Sequence, residues 1–419
     1  KRVQSLFSTG QMPLVLLSKK NAKALIKGKG PFKKYGSANA QILYIFGDLV
    51  LLVQPDFPNR HAWLVTNAIV QAGDKLPGAI SPLKVKKIAT IHPGTLMVLN
   101  GEKDFEKIRN YFTDQQNSLT SLNHALVNDG IFLEIEDNYS FNKPLIIYNF
   151  FNKSSENKII NNKCFISLGK NSKLNVLEYY KAEDSIKYFN NTIHHYSIQK
   201  NSILKKFSID NNLDNSYNYH LTNVKSYSNS IFENFLFSSG SNFVKNEIHC
   251  DLLESFSSCF VNALIFLIKQ QHHELKTNVN HKHQHCKSSQ LVKSVLLDKS
   301  NGTYQGKIYV DKDAQKTNGY QLSKALVLSE NSTFNSKPEL EIYADDVKCS
   351  HGSSTGNIDQ NSIFYLMSRG LSKEQANKML VEGFLNEAIE TITEPNIQSL
   401  ISKLFIDKIS KTKFEINEH

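Results

Sequence analysis

From Ile131 to Tyr343 apolar positions recur at every second residue, in runs too short for helices. Leu145–Tyr148, Lys163–Leu168, Leu174–Tyr179, Thr192–Gln199, Ile203–Ile209, Ile231–Phe237 and Lys307–Val310 each alternate inward and outward positions and are rich in β-branched and aromatic residues. That pattern predicts strands. Between them lie Asn-, Ser-, Gly- and Asp-rich clusters, such as 152–157, 211–218 and 238–242, which read as turns. Helical periodicity is nearly absent over this span. Many short strands in a row fit a large sandwich, a propeller or a β-helix. No fixed blade-length period is present, which argues against the propeller. Asn-rich corners suit the left-handed turns of a coiling chain. The pattern therefore predicts a mainly β protein with a β-solenoid core.

Both ends differ from this core. Ser372 with Gln375 three residues on fits a helical capping box, and Ala376, Met379, Leu380, Gly383, Phe384 and Ala388 follow at helical spacing. Pro395 opens a second helix with the stripe Ile397, Leu400, Ile401, Leu404 and Phe405. These stripes must be buried on the β body, on each other or on a partner; capping the open end of the solenoid is the simplest structural role. Near the other end, Ile42–Val53 reads as buried strand. The expected organisation is a basic, partly helical cap over 1–120, a β-helix core over 121–358 and a helical region over 359–419.

Composition adds limits. Among the 419 residues, 40% are hydrophobic, which is enough for a core and excludes disorder throughout. The longest apolar run, Ala263–Ile268, is far too short to span a bilayer. The net charge of +10 is local: residues 1–90 hold 14 Lys or Arg, three Asp and no Glu, and the remainder is near neutral. A basic segment can attract nucleic acid or an anionic membrane, but here it is not interleaved with aromatic residues, and a solvated basic surface is the plainer reading. An acid-poor start is one mark of a transit peptide, and a chain opening on Lys1 is expected of a trimmed sequence; the strand-like Ile42–Val53 favours a folded cap. Five cysteines in so long a chain give no disulfide framework and suit a reducing compartment.

Two clusters could carry chemistry. On a strand, His281, His283 and His285 would share one face and could bind zinc or iron, with Cys286 on the other side. Without an acidic or cysteine partner on that face, a polar outer face in a histidine-rich chain is the plainer reading. In Asp345–Gly352, Cys349 and His351 would share a face two residues apart, offering a thiolate and an imidazole to one metal. Two ligands are an incomplete set, so the others would have to come from elsewhere. No phosphate-cradling loop, Gly-x-Ser-x-Gly elbow or His-Glu-x-x-His motif is present. Asp345 and Asp346, as strand neighbours, point to opposite faces and make no glycosidase pair.

The stretch Lys337-Pro-Glu-Leu-Glu-Ile-Tyr-Ala-Asp-Asp-Val-Lys-Cys-Ser-His-Gly352, continuing in Thr355-Gly-Asn-Ile-Asp359 and Ile363–Gly370, resembles the signature of the SufD family, scaffold subunits of the SUF iron–sulfur assembly system. Tyr304-Gln-Gly306, Ala314–Thr317, Gln321, His281, Cys286 and Ser288 fit it too. Leu122–Ala125 with Asp129-Gly130, and Pro144-Leu145, match more loosely, and Pro58, Arg60, Trp63 and Thr66 echo the N-terminal motif. The resemblance implies a right-handed parallel β-helix between an N-terminal region and C-terminal helices. It implies a non-catalytic scaffold that pairs with a homologous SufB-like subunit and docks a SufC-like ATPase through those helices, at Phe384, Ala388, Ile397, Leu400, Ile401 and Leu404. It places His351, with Cys349 nearby, at a transient iron–sulfur cluster site shared with the SufB-like chain, and leaves no cofactor permanently on this chain. His281 and Cys286 match family positions and are secondary metal candidates; His283 and His285 do not match. No nucleic-acid or membrane partner is implied, and the implied compartment is the bacterial cytoplasm or, alternatively, a plastid stroma. Two other readings are a metal enzyme built on His281–His285 and a carbohydrate-binding or -cleaving solenoid. The second needs clustered acids and exposed aromatics along one face, and usually an export signal.

Overall fold

In a computed structural model, the structure describes residues 117–412 and 414, apart from 128, 142, 184–185 and 212–214, together with the backbone of five earlier strands. The chain divides into two compact units, Lys1–Ile91 with Leu96–Val98, and the remainder. In the first, β1 (Leu14–Ser18), β2 (Gln41–Phe46) and β3 (Leu49–Val53) form an antiparallel sheet in the order β1-β3-β2. Within the expected strand segment Ile42–Val53, residues 42–46 and 49–53 are strand. Two more strands, β4 (Ile88–Ile91) and β5 (Gly94–Asn100), follow. The rest of 1–116, including most of the basic residues and Pro58, Arg60, Trp63 and Thr66, lies outside the described residues.

The second unit opens on α1 (Ser118–Leu126), whose N-cap Asn117 and Thr120 form a capping box. Then the chain coils. The strands are β6 (Asp129–Ile135), β7 (Leu145–Phe151), β8 (Lys158–Leu168), β9 (Lys173–Ala182), β10 (Tyr188–Ile198), β11 (Ile203–Asp210), β12 (Tyr217–Ser226) and β13 (Ile231–Ser238). They continue as β14 (Phe243–Leu252), β15 (Ser258–Leu267), β16 (His272–His281), β17 (Lys287–Leu296), β18 (Asn301–Val310), β19 (Asn318–Val327), β20 (Thr333–Ile342) and β21 (Lys348–Gly356). Even-numbered strands stack in parallel in one sheet and odd-numbered strands in the other. Each coil adds one strand to each sheet, making a two-sheeted β-solenoid as the alternation predicts. Aliphatic and aromatic side chains such as Leu174, Val176, Leu204, Phe232, Val261 and Val292 fill the lumen and are fully buried.

One corner explains the asparagines. Asn138, Asn171, Asn201, Asn229, Phe256, His285 and Lys316 hold successive coils at positive φ, a conformation Asn tolerates better than most residues. From Asn171 to His285 each N–H donates to a carbonyl of the following coil, for example Asn171 to Lys200 O at 2.9 Å and Asn201 to Ser228 O at 3.0 Å. Their amide side chains also form a ladder: Asn171 donates to Asn138 at 2.8 Å, Asn201 to Asn171 at 2.9 Å and Asn229 to Asn201 at 2.9 Å. Further along, stacked rings replace the ladder, with Phe256 and His285 4.8 Å apart and nearly coplanar. The next position inward is Ser172, Ser202, Ser230, Ser257, Cys286 and Thr317 in turn, all buried. Their hydroxyls return to corner carbonyls, as when Ser257 donates to Glu254 O at 2.7 Å.

Three helices follow the solenoid: α2 (Gln360–Ser368), α3 (Lys373–Ile389) and α4 (Pro395–Lys411). The Ser372–Gln375 capping box and Pro395 in the first turn stand where the sequence puts them. The helices do not close the end of the solenoid. They lie on the outer face of the odd-strand sheet, where Ile397, Ile401, Phe405 and Ile409 of α4 pack with Leu177, Phe207, Phe235, Leu264 and Phe266. The buried face of α3 also differs from the expected stripe. Ala376, Asn377, Val381, Leu385 and Ala388 turn inward, and Met379 is exposed. Three lysines tie helices to coils. Lys205 pairs with Glu394 at 2.9 Å, Lys293 pairs with Glu387, and Lys408 donates to Ser239 O at 2.6 Å.

Asn201→Ala keeps a β-carbon in the left-handed region, removes the amide that makes that conformation tolerable and breaks two ladder bonds. It should cost about 2–3 kcal/mol, whereas Asn201→Gly, which keeps the backbone unstrained, should cost roughly 1 kcal/mol. Urea unfolding midpoints of the two variants test this, and equal losses would contradict the corner account.

Candidate functional site

The last coil is the only one of the described solenoid with a free flank on its C-terminal side. β20 ends the even-strand sheet and β21 ends the odd-strand sheet, so each is hydrogen-bonded along one edge only. Burial falls off accordingly: the lumen-facing positions of β18 are fully buried, and those of β20 are half-buried or exposed. Pro338 sits in β20, where a missing N–H is tolerated because the strand is an edge.

Cys349 and His351 lie on β21. Cys349 pairs in register with Gly319, and His351 with Gln321. Gly319, Gln321, Ser323 and Ala325 are the buried, lumen-facing set of β19, so Cys349 and His351 share that face, as the spacing predicts. Cys349 is half-buried against Ile308, Val310, Ala314 and Ala344, and burial pushes its thiol up. His351 is exposed at the mouth of the lumen. The site is therefore a thiol and an imidazole on an unpaired edge. Asp345 and Asp346 lie in the turn before β21, where Asp346 pairs with Lys316.

The second histidine cluster does not form a common face. β16 ends at His281, and His283 and His285 lie in the following corner. His281 is buried, with Nε2 2.8 Å from Ser288 Oγ. His285 is a left-handed corner residue stacked on Phe256. Cys286 occupies a position that holds serine or threonine in other coils, 3.3 Å from Ser257 Oγ, with its thiol pushed up by burial. Among the described residues, no three His, Cys, Asp or Glu side chains converge on a point that could hold a metal. This corrects the strand-face premise of the His281–His285 enzyme.

The expected docking stripe also needs correction. Ala388, Ile397 and Ile401 are buried in the helix–sheet core and cannot meet a partner. Phe384, Leu400 and Leu404 are partly buried against the same core. The exposed apolar surface lies on the other side of α3 and on α2, at Phe364 (74% exposed), Tyr365, Met367 and Met379. Tyr365, Leu366, Met379, Leu380, Gly383 and Phe384 line a groove of about 700 Å³ there. Its signal in the sequence is the run Ile363-Phe-Tyr-Leu-Met, more apolar than one buried helix face requires.

A polar cluster absent from the sequence reading fills the lumen of the early coils. Glu178, fully buried, accepts from His194 Nε2 at 2.9 Å, Tyr180 Oη at 3.1 Å and Lys206 Nζ at 3.2 Å. Burial alone would raise the Glu178 carboxyl, but its partners hold it well below the usual range. Burial pushes His194 down, so at neutral pH it is the neutral imidazole, and Lys206 is the cation that keeps Glu178 ionised. Period-2 patterning cannot reveal this cluster, because its members occupy ordinary inward positions on different strands.

A family model described as "SUF system FeS cluster assembly, SufBD core domain" matches residues 150–384. The chain is 27% identical over 238 residues to the iron–sulfur cluster assembly protein SufD of Escherichia coli, covering 56% of each chain. It is 25% identical over 304 residues to an iron–sulfur cluster assembly SufBD family protein of Synechocystis, covering 70% of this chain and 67% of that one. It is 27% identical over 242 residues to the chloroplastic protein ABCI7 of Arabidopsis thaliana, covering 57% of this chain and 51% of that one. The match to the first and third of these spans about half their length.

Burial lowers three other histidines, His220 to about 3 and His273 and His281 to about 4. The ordinary value is about 6.5. As pH falls below that, the unfolded chain binds protons that the native chain refuses, so stability is intact above about 6.5 and is lost progressively down to about 4. Unfolding free energies measured from pH 7 to 4.5 should fall with a slope approaching three protons from these rings, to which the lowered His194 adds, and His273→Asn should remove about one. A flat profile would contradict the burial of these rings.

Proposed function

The chain belongs to the SufBD core family of the SUF system for iron–sulfur cluster assembly, a SufD-like member of it, and on that premise we propose that it is a non-catalytic scaffold on which a transient cluster forms. The carrying observation is the terminal coil, uncapped among the described residues, with Cys349 and His351 facing the open lumen on an edge strand. A solenoid that ends without a cap presents strand edges that pair readily with another chain. A homologous SufB-like subunit is the partner whose own terminal coil would complete the lumen.

The chemistry follows from the donor set. Thiolate and imidazole both suit iron. Two donors from this chain leave the coordination incomplete, so the SufB-like subunit supplies the rest. A site split between two chains can release its cargo when the chains move. The cluster is cargo and not a resident cofactor. Cys349, with its thiol raised by burial, is the poorer ligand until a metal or partner displaces its proton; His351, exposed at the mouth, is the first residue of this chain to meet iron.

The drive would come from a SufC-like ATPase docked on the exposed apolar surface of α2 and α3, with Phe364, Tyr365, Met367 and Met379 as its apolar contacts, Tyr365 and Met379 lining the groove. Docking there would act on α3, which Lys293 ties to β17 through Glu387 and the Phe384 ring, 4.3 Å from Nζ. No helix among the described residues is long and apolar enough to cross a membrane. The reading suits a bacterial cytoplasm, or a plastid stroma as for the chloroplastic relative.

The test is anaerobic co-expression with SufB-like and SufC-like subunits. His351→Ala should leave all three proteins together and abolish the cluster absorbance; a normal cluster yield would refute the site. In a second series, Phe364→Glu or Met379→Glu should release the ATPase and keep the SufB-like subunit. Ile401→Ala should instead lower stability by about 2–5 kcal/mol, as a core truncation does. Retention of the ATPase by both the Phe364 and the Met379 variant would refute the docking surface.

A further inference from the structure

Behind His351 the lumen is closed by polar side chains in register. Gln290 of β17 pairs with Gln321 of β19, and Gln321 with His351 of β21. All three occupy the same inward position on successive coils, about 4.8 Å apart along the stack. Gln290 and Gln321 are almost completely buried. Tyr304 Oη donates to Gln290 Oε1 at 2.9 Å, and Thr277 Oγ1 donates to the same oxygen. Gln321, with its amide oriented to satisfy both atoms, donates to Gly306 O and accepts from Ile308 N–H, each at 3.2 Å. Its side chain thus crosses the lumen and is held by the backbone of the opposite sheet.

Gly306 makes this possible. A β-carbon there would fall 2.2 Å from Tyr304 Oη and 2.5 Å from the end of the Gln321 amide, its nitrogen in the orientation that donates to Gly306 O. Tyr304 and Gln321 therefore occupy the space that any other residue at 306 would fill. Apolar side chains would close the lumen at lower desolvation cost. An amide tied to two backbone groups instead gives a floor with one fixed position.

We propose that Gln321, held by Gly306 and backed by Tyr304 and Gln290, is the positioning residue for His351. It closes the lumen immediately beneath the imidazole and restricts the directions in which the ring can point. The proposal rests on the reading of His351 as a donor to the transient cluster. Gln321 touches no cargo itself; it narrows the geometry that the incomplete site offers to the partner's ligands. Supporting residues of this kind change metal affinity or activity by about 10–100-fold when removed.

Two arms test it. In the isolated full chain with 13C-labelled histidine, the His351 signal is identified by its loss in His351→Ala. Gln321→Met should move that signal toward the position of His283, an exposed corner ring, and Gln321→Glu should leave it closer to the native position. In the co-expressed complex, Gln321→Met and Gly306→Ala should retain the partners and lower cluster yield about tenfold. Tyr304→Phe, a smaller change, keeps the test open if either variant fails to fold. An unmoved His351 signal in Gln321→Met or in Tyr304→Phe overturns the proposal whatever the cluster yield. A normal yield in Gln321→Met, alongside a cluster-free His351→Ala complex, also overturns it. A normal yield in His351→Ala refutes the cluster site itself, and the signal in the isolated chain still decides whether Gln321 positions the ring.

Discussion

The coils from Asn138 to Lys316 turn at a residue of positive φ, and from Asn171 to His285 that residue's N–H donates to the coil that follows. Register along the whole stack depends on that contact. A slip of one residue would turn every inward side chain outward, carrying Cys349 and His351 together off the lumen face. Where the corner residue is Asn, amide ladders reinforce the backbone bond; where it is Phe256 or His285, ring stacking takes over. The histidine run that reads as a metal motif is in large part this corner: His281 closes a strand, His285 makes the turn and Cys286 stands where other coils keep a hydroxyl.

The lumen behind these corners carries charge. Burying Glu178 and Lys206 costs several kcal/mol in desolvation, which their mutual attraction and the bonds from His194 and Tyr180 offset. Removing either charge alone leaves the other unpaired in an apolar surround. Towards the last coil the lumen changes from ion pairs to neutral amides and hydroxyls at Gln290, Tyr304 and Gln321, and ends at an exposed imidazole. On the outside, the odd-strand sheet is covered by helices and anchored by lysines at Lys205, Lys293 and Lys408. The open end and the helix groove are thus different surfaces on one rigid frame, joined through β17, β19 and β21.

The sequence makes the strands legible because period-2 burial is a local property. It makes the asparagine corners legible because few other residues accept their backbone. It hides the repeat, because coil length varies: His272 pairs with Asn301, and Asn301 with the more distant Thr333. It places α3 and α4 correctly from Ser372 and Pro395 and misjudges the buried face of α3, because Met379 and Phe384 are as apolar as Val381 and Leu385. Which apolar stripe meets the sheet is a tertiary fact. Cys349 and His351 stand on one face because they lie on a strand, but only the stacking order shows that the strand is the last. The Glu178 cluster and the Gln290–Gln321 column have no local signature, since their members are far apart in sequence and meet through coil register.

The central proposal is that this chain is a scaffold whose terminal coil meets a homologous SufB-like subunit. Hydrogen exchange of the full chain, alone and with the SufB-like subunit, measures this directly at the backbone. The account predicts that amides of β20 and β21, bonded along one edge in the free chain, become strongly protected in the complex, while those of β14–β17 change little. Unchanged exchange at β20 and β21, with new protection elsewhere on the solenoid, would contradict it.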